Sequence, residues 1–253
     1  LLTVEDRAEF LIKEPNAEKF VLPLISAYEF LNGKKRYCLW LVDAQPNELK
    51  GLPEILKRIE KVRKFRLDSV APSTQKFAAT PSTFRDKNNP NSYILIPSTS
   101  SENRKYIPIG FFEKDTIANN SCHIIPNGSL YHFGILTSAM HMAWVRNICG
   151  RLKSDYRYSK DIVYNNFPWP ENPSHKHTIA IEKSAQEVLE VRAQFPESSL
   201  ADLYDPLTMP PVLLKAHQNL DKAVDAAYSS KTFKTETERM EFLFNLYGEL
   251  INK

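Results

Sequence analysis

The chain has 253 residues, 42% of them apolar, enough for a sizeable core in one large domain or two ordinary ones. Its formal charge is only +3, yet it is unevenly spread: up to Pro170 there are 24 Lys and Arg against 17 Asp and Glu, and from Glu171 onward 9 against 13. No run approaches the roughly 18 apolar residues of a membrane span, and LLTVEDRAEF lacks the basic start and apolar centre of a secretion signal, so a soluble protein with no membrane partner is expected.

Positive potential on the first part favours a polyanionic partner, whereas the acidic second part reads as a scaffold or protein-facing element. An excess of this size is also common in proteins that touch no nucleic acid. Cys38, Cys122 and Cys149 show no CxxC spacing, which fits reduced thiols in a cytosolic compartment. The sequence starts without Met, and a fragment of a longer polypeptide is expected.

In chain order, residues 5–13 and 17–31 read as two helices, followed by an NGKKR turn and a strand over Tyr37 to Asp43, YCLWLVD. Pro53 to Leu67 opens with Pro and Glu and lines up Ile55, Ile59 and Val62, which predicts a helix with a strongly basic outer face. SYILIP, YIPIGFF and CHIIP read as short strands of a mixed or antiparallel sheet with long connections. Leu130 to Cys149 is the longest apolar stretch and reads as a helix capped by Gly150. FPWPENP, with three prolines in seven residues, reads as a boundary, and helical patterns cover 178–195, 210–228 and 235–252.

Several catalytic chemistries have no carrier here. A methyltransferase of the usual α/β type needs a Gly-rich turn that lets backbone approach its cofactor, and this chain has seven glycines and no GxG. The amine-gripping motif Asn/Asp/Ser-Pro-Pro-aromatic is only mimicked: Asn166-Phe167-Pro168-Trp169 has aromatic and Pro in the wrong order, and Asp205-Pro206-Leu207 lacks the second Pro and the aromatic. Asp43 and Glu48-x-Lys50 resemble a nuclease centre but are interrupted by Pro46, so a loop entering a capped helix is the better reading. The six histidines do not form zinc-ligand spacings with the cysteines, and His141 reads as a satisfied interior or interface residue. No catalytic, cofactor-binding or metal residue is therefore assigned.

Lys153 to Lys160, KSDYRYSK, interleaves charges with Tyr156 and Tyr158. A segment that only cradled phosphates would gain nothing from Asp155. Base reading would: Lys donates to guanine O6 and N7 and Asp accepts from cytosine N4, so Lys153-x-Asp155 on one face of an extended strand reads both partners of a G·C pair. The same residues also read as a solvated loop with an internal Lys–Asp or Arg–Asp bridge.

YHFGILTSAMHMAWVRNICGRLKSDYRYSKDIVYNNFPWPENP, together with SSENRKYIPIGFF and LYDPLTMPPVLLKAHQNLDKAVDAAY, resembles the MmeI-like enzymes, single chains that fuse a nuclease, an N6-adenine DNA methyltransferase and a target recognition domain. The resemblance covers essentially the whole chain. It implies an α+β target recognition domain at 1–170, with a mixed or antiparallel sheet and flanking helices, then an all-α helical domain at 171–253. It implies that base specificity is set at positions matching Lys153, Asp155 and Arg157, with a partner for Arg157 on the earlier strand near Ser121. The remaining cations Lys57, Lys61, Lys64, Arg104, Lys105, Arg151 and Lys160 then read as phosphate contacts, which position without reading sequence. The implied partners are double-stranded DNA and an upstream methyltransferase domain of the same polypeptide. That parent would use S-adenosylmethionine, with no cofactor in this fragment, in a bacterial cytoplasm at the nucleoid. A module with a basic surface that meets protein or RNA is the alternative.

Overall fold

Local signals set most of the elements. The computed structural model describes residues 1–252. The first part runs α1 (Val4–Lys13), a 3-10 turn (Pro15–Phe20), β1 (Val21–Ile25), α2 (Ala27–Asn32), β2 (Tyr37–Leu39), α3 (Pro46–Lys50), α4 (Pro53–Leu67), α5 (Pro72–Gln75) and a second 3-10 turn (Lys76–Ala79). Five short strands follow, β3 (Ser92–Pro97), β4 (Thr99–Ser100), β5 (Gly110–Glu113), β6 (Ile117–Ala118) and β7 (Cys122–Pro126), before α6 (Leu130–Leu136) and α7 (Ala139–Ile148). Then come β8 (Gly150–Leu152), β9 (Asp155–Arg157), a π-turn (Lys160–Tyr164), α8 (His175–Ala193), α9 (Leu200–Leu203), α10 (Pro211–Tyr228) and α11 (Glu236–Ile251). This is an α+β fold: the described residues form three small sheets, ordered β2-β1-β6, β5-β3-β7 and β4-β9-β8, with a helical C-terminal region.

The chain packs as two compact units. The first comprises residues 1–25, 34–90 and 114–117. It is built on Leu2, Phe10, Phe20, Val21, Leu41, Leu52 and Ile55. Thr3 and Asp6 cap α1 reciprocally. The buried Glu14 carboxylate accepts the Glu54 and Ile55 amides at 3.1 and 2.9 Å, so an anion satisfies donors that the first turn of α4 cannot pair internally. The second unit comprises 26–33, 91–113 and 118 onward. Ile94, Ile96 and Tyr106 share its core with Phe133 and Trp144 and with Ile181, Leu220 and Leu243 of the later helices. Gly134 permits close helix packing, since a Cβ there would lie 2.6 Å from Ile181 Cγ2.

Several stretches depart from the sequence expectation: the strand read over Tyr37 to Asp43 stops at Leu39, and of YIPIGFF only the residues from Gly110 are strand. Residues 17–31 are not one helix. The 3-10 turn gives way to β1, because Pro23 has no amide for a helix interior, and Ser26 then starts α2 afresh as an N-cap. The apolar stretch 130–149 is also broken: Ser138 accepts the His141 amide and caps α7, so α6 ends at Leu136. Cys149 is the C-cap in extended conformation, and Gly150 opens β8 instead of closing a helix.

Candidate nucleic-acid interface

β8 and β9 form an antiparallel hairpin in which Leu152 pairs with Asp155, leaving Lys153 and Ser154 as a two-residue turn. Lys153 has φ 56°, a left-handed conformation that glycine normally supplies at such a turn. Along β9 the side chains alternate: Tyr156 is buried, while Asp155 and Arg157 share the opposite face. Sequence spacing alone puts Lys153 and Asp155 on one strand face. The structure corrects this, because Lys153 stands in the turn at the strand's head and the pair on the common face is Asp155 with Arg157. Lys153 and Arg157 are exposed, and Asp155 is half-buried.

A second strand pairing supports the hairpin from the side. β4 runs antiparallel to β9, with Thr99 opposite Arg157 and Ser100 opposite Tyr156. The following turn holds the hairpin through Glu102: its amide donates to Asp155 Oδ1 at 3.4 Å, its carbonyl accepts from the Tyr156 hydroxyl at 3.2 Å, and its carboxylate lies 3.9 Å from Arg151. The Arg151 guanidinium also stacks 4.3 Å from the centre of the Tyr156 ring and donates to the Ser154 and Arg146 carbonyls.

Ser98 is the seam between two sheets. Its amide donates to the Ser121 carbonyl and its carbonyl accepts the Tyr158 amide, both at 2.9 Å. Ser98 thus links Ser121 to the residue that follows β9. Its hydroxyl accepts the Ala27 amide at 2.9 Å and donates to Asn119 Oδ1 at 2.7 Å. Tyr158 is buried, with its hydroxyl 3.0 Å from His141 Nε2 and its carbonyl 3.0 Å from His123 Nε2. Burial pulls His141 down to about 3 and pushes the Tyr158 phenol up, so this anchor is uncharged at neutral pH.

The other expected cations differ in freedom. Lys105 and Lys160 are exposed. Arg104 is half-buried and donates to Ser100 Oγ at 3.3 Å. In the first unit Lys57, Lys61 and Lys64 lie exposed along one stripe of α4, and Lys57 reaches Glu54 at 2.6 Å. The residue pattern points to the charged β8–β9 hairpin but not to Ser98 or the Glu102 amide, because main-chain contacts leave no signature in residue type.

The apparent catalytic motifs have structural tasks. Asn166 Nδ2 donates to the Asp161 and Ile162 carbonyls at 2.9 and 3.0 Å, and the buried Phe167 ring meets His141 edge-on. Asp205 Oδ1 accepts the Leu207 amide in a tight turn. Glu48 shares a capping box with Gln45 at the start of α3. Among the described residues no group of three or more His, Cys, Asp or Glu is placed to hold a metal ion, no helix is long and apolar enough to cross a membrane, and all three cysteines are free. At Gly128, in the turn from β7 to α6, Ile94 Cδ1 lies 2.5 Å from where a Cβ would sit, so the missing side chain lets Ile94 pack against the turn.

Fold and surface together define a recognition module. Family models for the MmeI target recognition domain and the MmeI C-terminal domain match residues 1–171 and 173–253, and the chain belongs to this family. The solved structure of the type IIL restriction-modification enzyme MmeI in complex with DNA matches it with a TM-score of 0.95 and 46% identity, covering 100% of this chain and 34% of that one. DNA methyltransferase A of Bacillus subtilis (strain 168) is 41% identical over 254 residues, which is 100% of this chain and 29% of that protein. The chain thus spans about a third of the length of these relatives.

Proposed function

We propose that this chain selects the duplex DNA site for an N6-adenine methyltransferase of restriction-modification type. S-adenosylmethionine and the groups that grip the flipped adenine are assigned to other parts of the polypeptide, since the motifs that carry them are missing from this sequence. The work takes place at the bacterial nucleoid, in the cytoplasm. The division at Pro170 is one of role: 1–170 reads the duplex, and 171–253 supplies helices that support the reader.

One observation carries the reading. A lysine occupies the glycine position of the hairpin turn, with Asp155 and Arg157 held outward by the buried Tyr156 between them. A residue kept against its backbone preference at an exposed tip points to use of its side chain. Asp155 Oδ1 is occupied by the Glu102 amide, which leaves Oδ2 to accept from cytosine N4. Lys153 donates to the guanine O6 and N7 of the same pair, a contact set that discriminates by about 1–3 kcal/mol. Arg157, with Ser121 as its partner, reads a neighbouring pair. Lys105, Lys160 and the α4 stripe of Lys57, Lys61 and Lys64 are phosphate contacts that fix register. Arg151, already committed to Tyr156 and two carbonyls, adds long-range attraction only. The relative solved with DNA supports this reading.

Mapping methylated adenines in cells that carry the full-length protein gives the site. Binding of that protein to the mapped duplex, with affinity falling steeply as salt rises and weaker binding to single strands or RNA, supports the proposal. Salt-insensitive binding, or equal binding to RNA, contradicts it.

A further inference from the structure

The turn 101–104 beside the hairpin carries a side chain that the fold does not use. The Arg104 amide donates to the Ser101 carbonyl at 3.2 Å, and the Asn103 amide donates to Ser101 Oγ at 3.3 Å. Asparagine commonly stands in a turn because its side chain bonds the nearby main chain. Here Ser101 performs that task, and the exposed Asn103 carboxamide bonds none of the described residues. Asn32, Asn89, Asn147 and Asn166, by contrast, each donate to a main-chain carbonyl.

The turn is fastened to the hairpin by main chain. Glu102, next to Asn103, donates its amide to Asp155 Oδ1 at 3.4 Å and accepts the Tyr156 hydroxyl on its carbonyl at 3.2 Å. On the other side of Asn103, the Lys105 carbonyl accepts Arg146 Nη2 at 2.8 Å. Because β4 is antiparallel to β9 and starts with Thr99 opposite Arg157, the chain advances from there past Tyr156, and the turn lies on the side of Asp155 away from Arg157. Asn103 is one residue, about 3.8 Å of chain, from the amide in contact with Asp155. Base pairs succeed each other about every 3.4 Å, so a duplex seated on Asp155 brings its next pair within reach of the carboxamide. A phosphate seat is a poorer fit for this turn. The exposed Glu102 carboxylate stands beside Asn103, and Arg104 is turned onto Ser100 Oγ at 3.3 Å.

We infer that Asn103 is a further specificity-determining residue: its carboxamide, a donor and an acceptor side by side, reads N7 and N6 of an adenine in the pair that flanks the one read by Lys153 and Asp155. This rests on the proposal that the β8–β9 hairpin reads bases.

The test sequences the adenines methylated by three variants of the full-length protein: Asp155→Ala, Asn103→Ala and Asn103→Asp. Asp155→Ala is expected to relax one base position. Asn103→Ala should relax the adjoining position, an A·T pair other than the methylated one, with about 10-fold loss of discrimination and the rest of the site unchanged. Asn103→Asp keeps the shape and removes the donor, so it should disfavour adenine at that same position. If Asp155→Ala relaxes a position while both Asn103 variants lower methylation evenly and relax none, Asn103 touches the backbone and the inference alone fails. It fails too if the Asn103 variants relax the position that Asp155→Ala relaxes, since Asn103 then serves Asp155 and has no pair of its own. If Asp155→Ala leaves every position as strict as before, the base-reading proposal fails and the inference falls with it.

Discussion

Lys153 adopts a left-handed backbone, φ 56°, two residues ahead of Asp155, the first residue of β9. For an L-residue with a Cβ this conformation costs about 1–2 kcal/mol, which glycine avoids. Lys153→Gly is expected to leave unfolding stability unchanged or raise it by up to about 1 kcal/mol in denaturant titration, while selection at one base pair is lost. A clear loss of stability would show that the lysine side chain serves the fold instead.

The α4 stripe gives a different signature. Replacing Lys57, Lys61 and Lys64 by Ala should weaken duplex binding to all sequences alike and lower the slope of log K against log salt by about 0.9 for each phosphate contact removed. A changed methylated site would contradict the assignment of these residues to the backbone.

Tyr106 and Asp221 form a buried link in the second unit. The phenol donates to Asp221 Oδ2 at 2.6 Å, and Oδ1 accepts the Ala139 amide at the head of α7 at 2.7 Å. Tyr106→Phe leaves the carboxylate short of a donor, and a loss of about 1–3 kcal/mol in unfolding free energy is expected. The set of methylated sequences should not change, which separates support of the scaffold from reading.

Acid weakens the second unit through its buried histidines. Burial lowers His141 from 6.5 to about 3 and also lowers His217, so the unfolded chain takes up protons first. The contribution of His141 is fully present above about pH 6.5 and is lost as pH falls toward about 3. His141→Gln should flatten the pH dependence of unfolding across that window by at most about 1.4 kcal/mol per pH unit. An unchanged slope would mean that the ring accepts a proton in the folded state.

Much of this architecture is legible in residue order where one physical signal dominates. α4 is announced by Pro53, Glu54 and the stripe of Ile55, Ile59 and Val62, and β3 by the β-branched run in SYILIP. The breaks at Pro23 and Ser138 are harder, because the apolar content on either side continues and only a cap or a missing amide interrupts it. In the β8–β9 hairpin, the alternation of Tyr156 and Tyr158 with charges shows which side chains turn outward. Its turn is invisible, since lysine is not a turn-forming residue. The Ser98 seam and the Glu102 amide are tertiary facts carried by main chain.

The most direct measurement exchanges the two charges, Lys153→Asp with Asp155→Lys, in the full-length protein and sequences the adenines it then methylates. A change of base at one position of the site, with the others retained, is the predicted result. The same site methylated at a lower level would contradict the claim that this hairpin reads DNA.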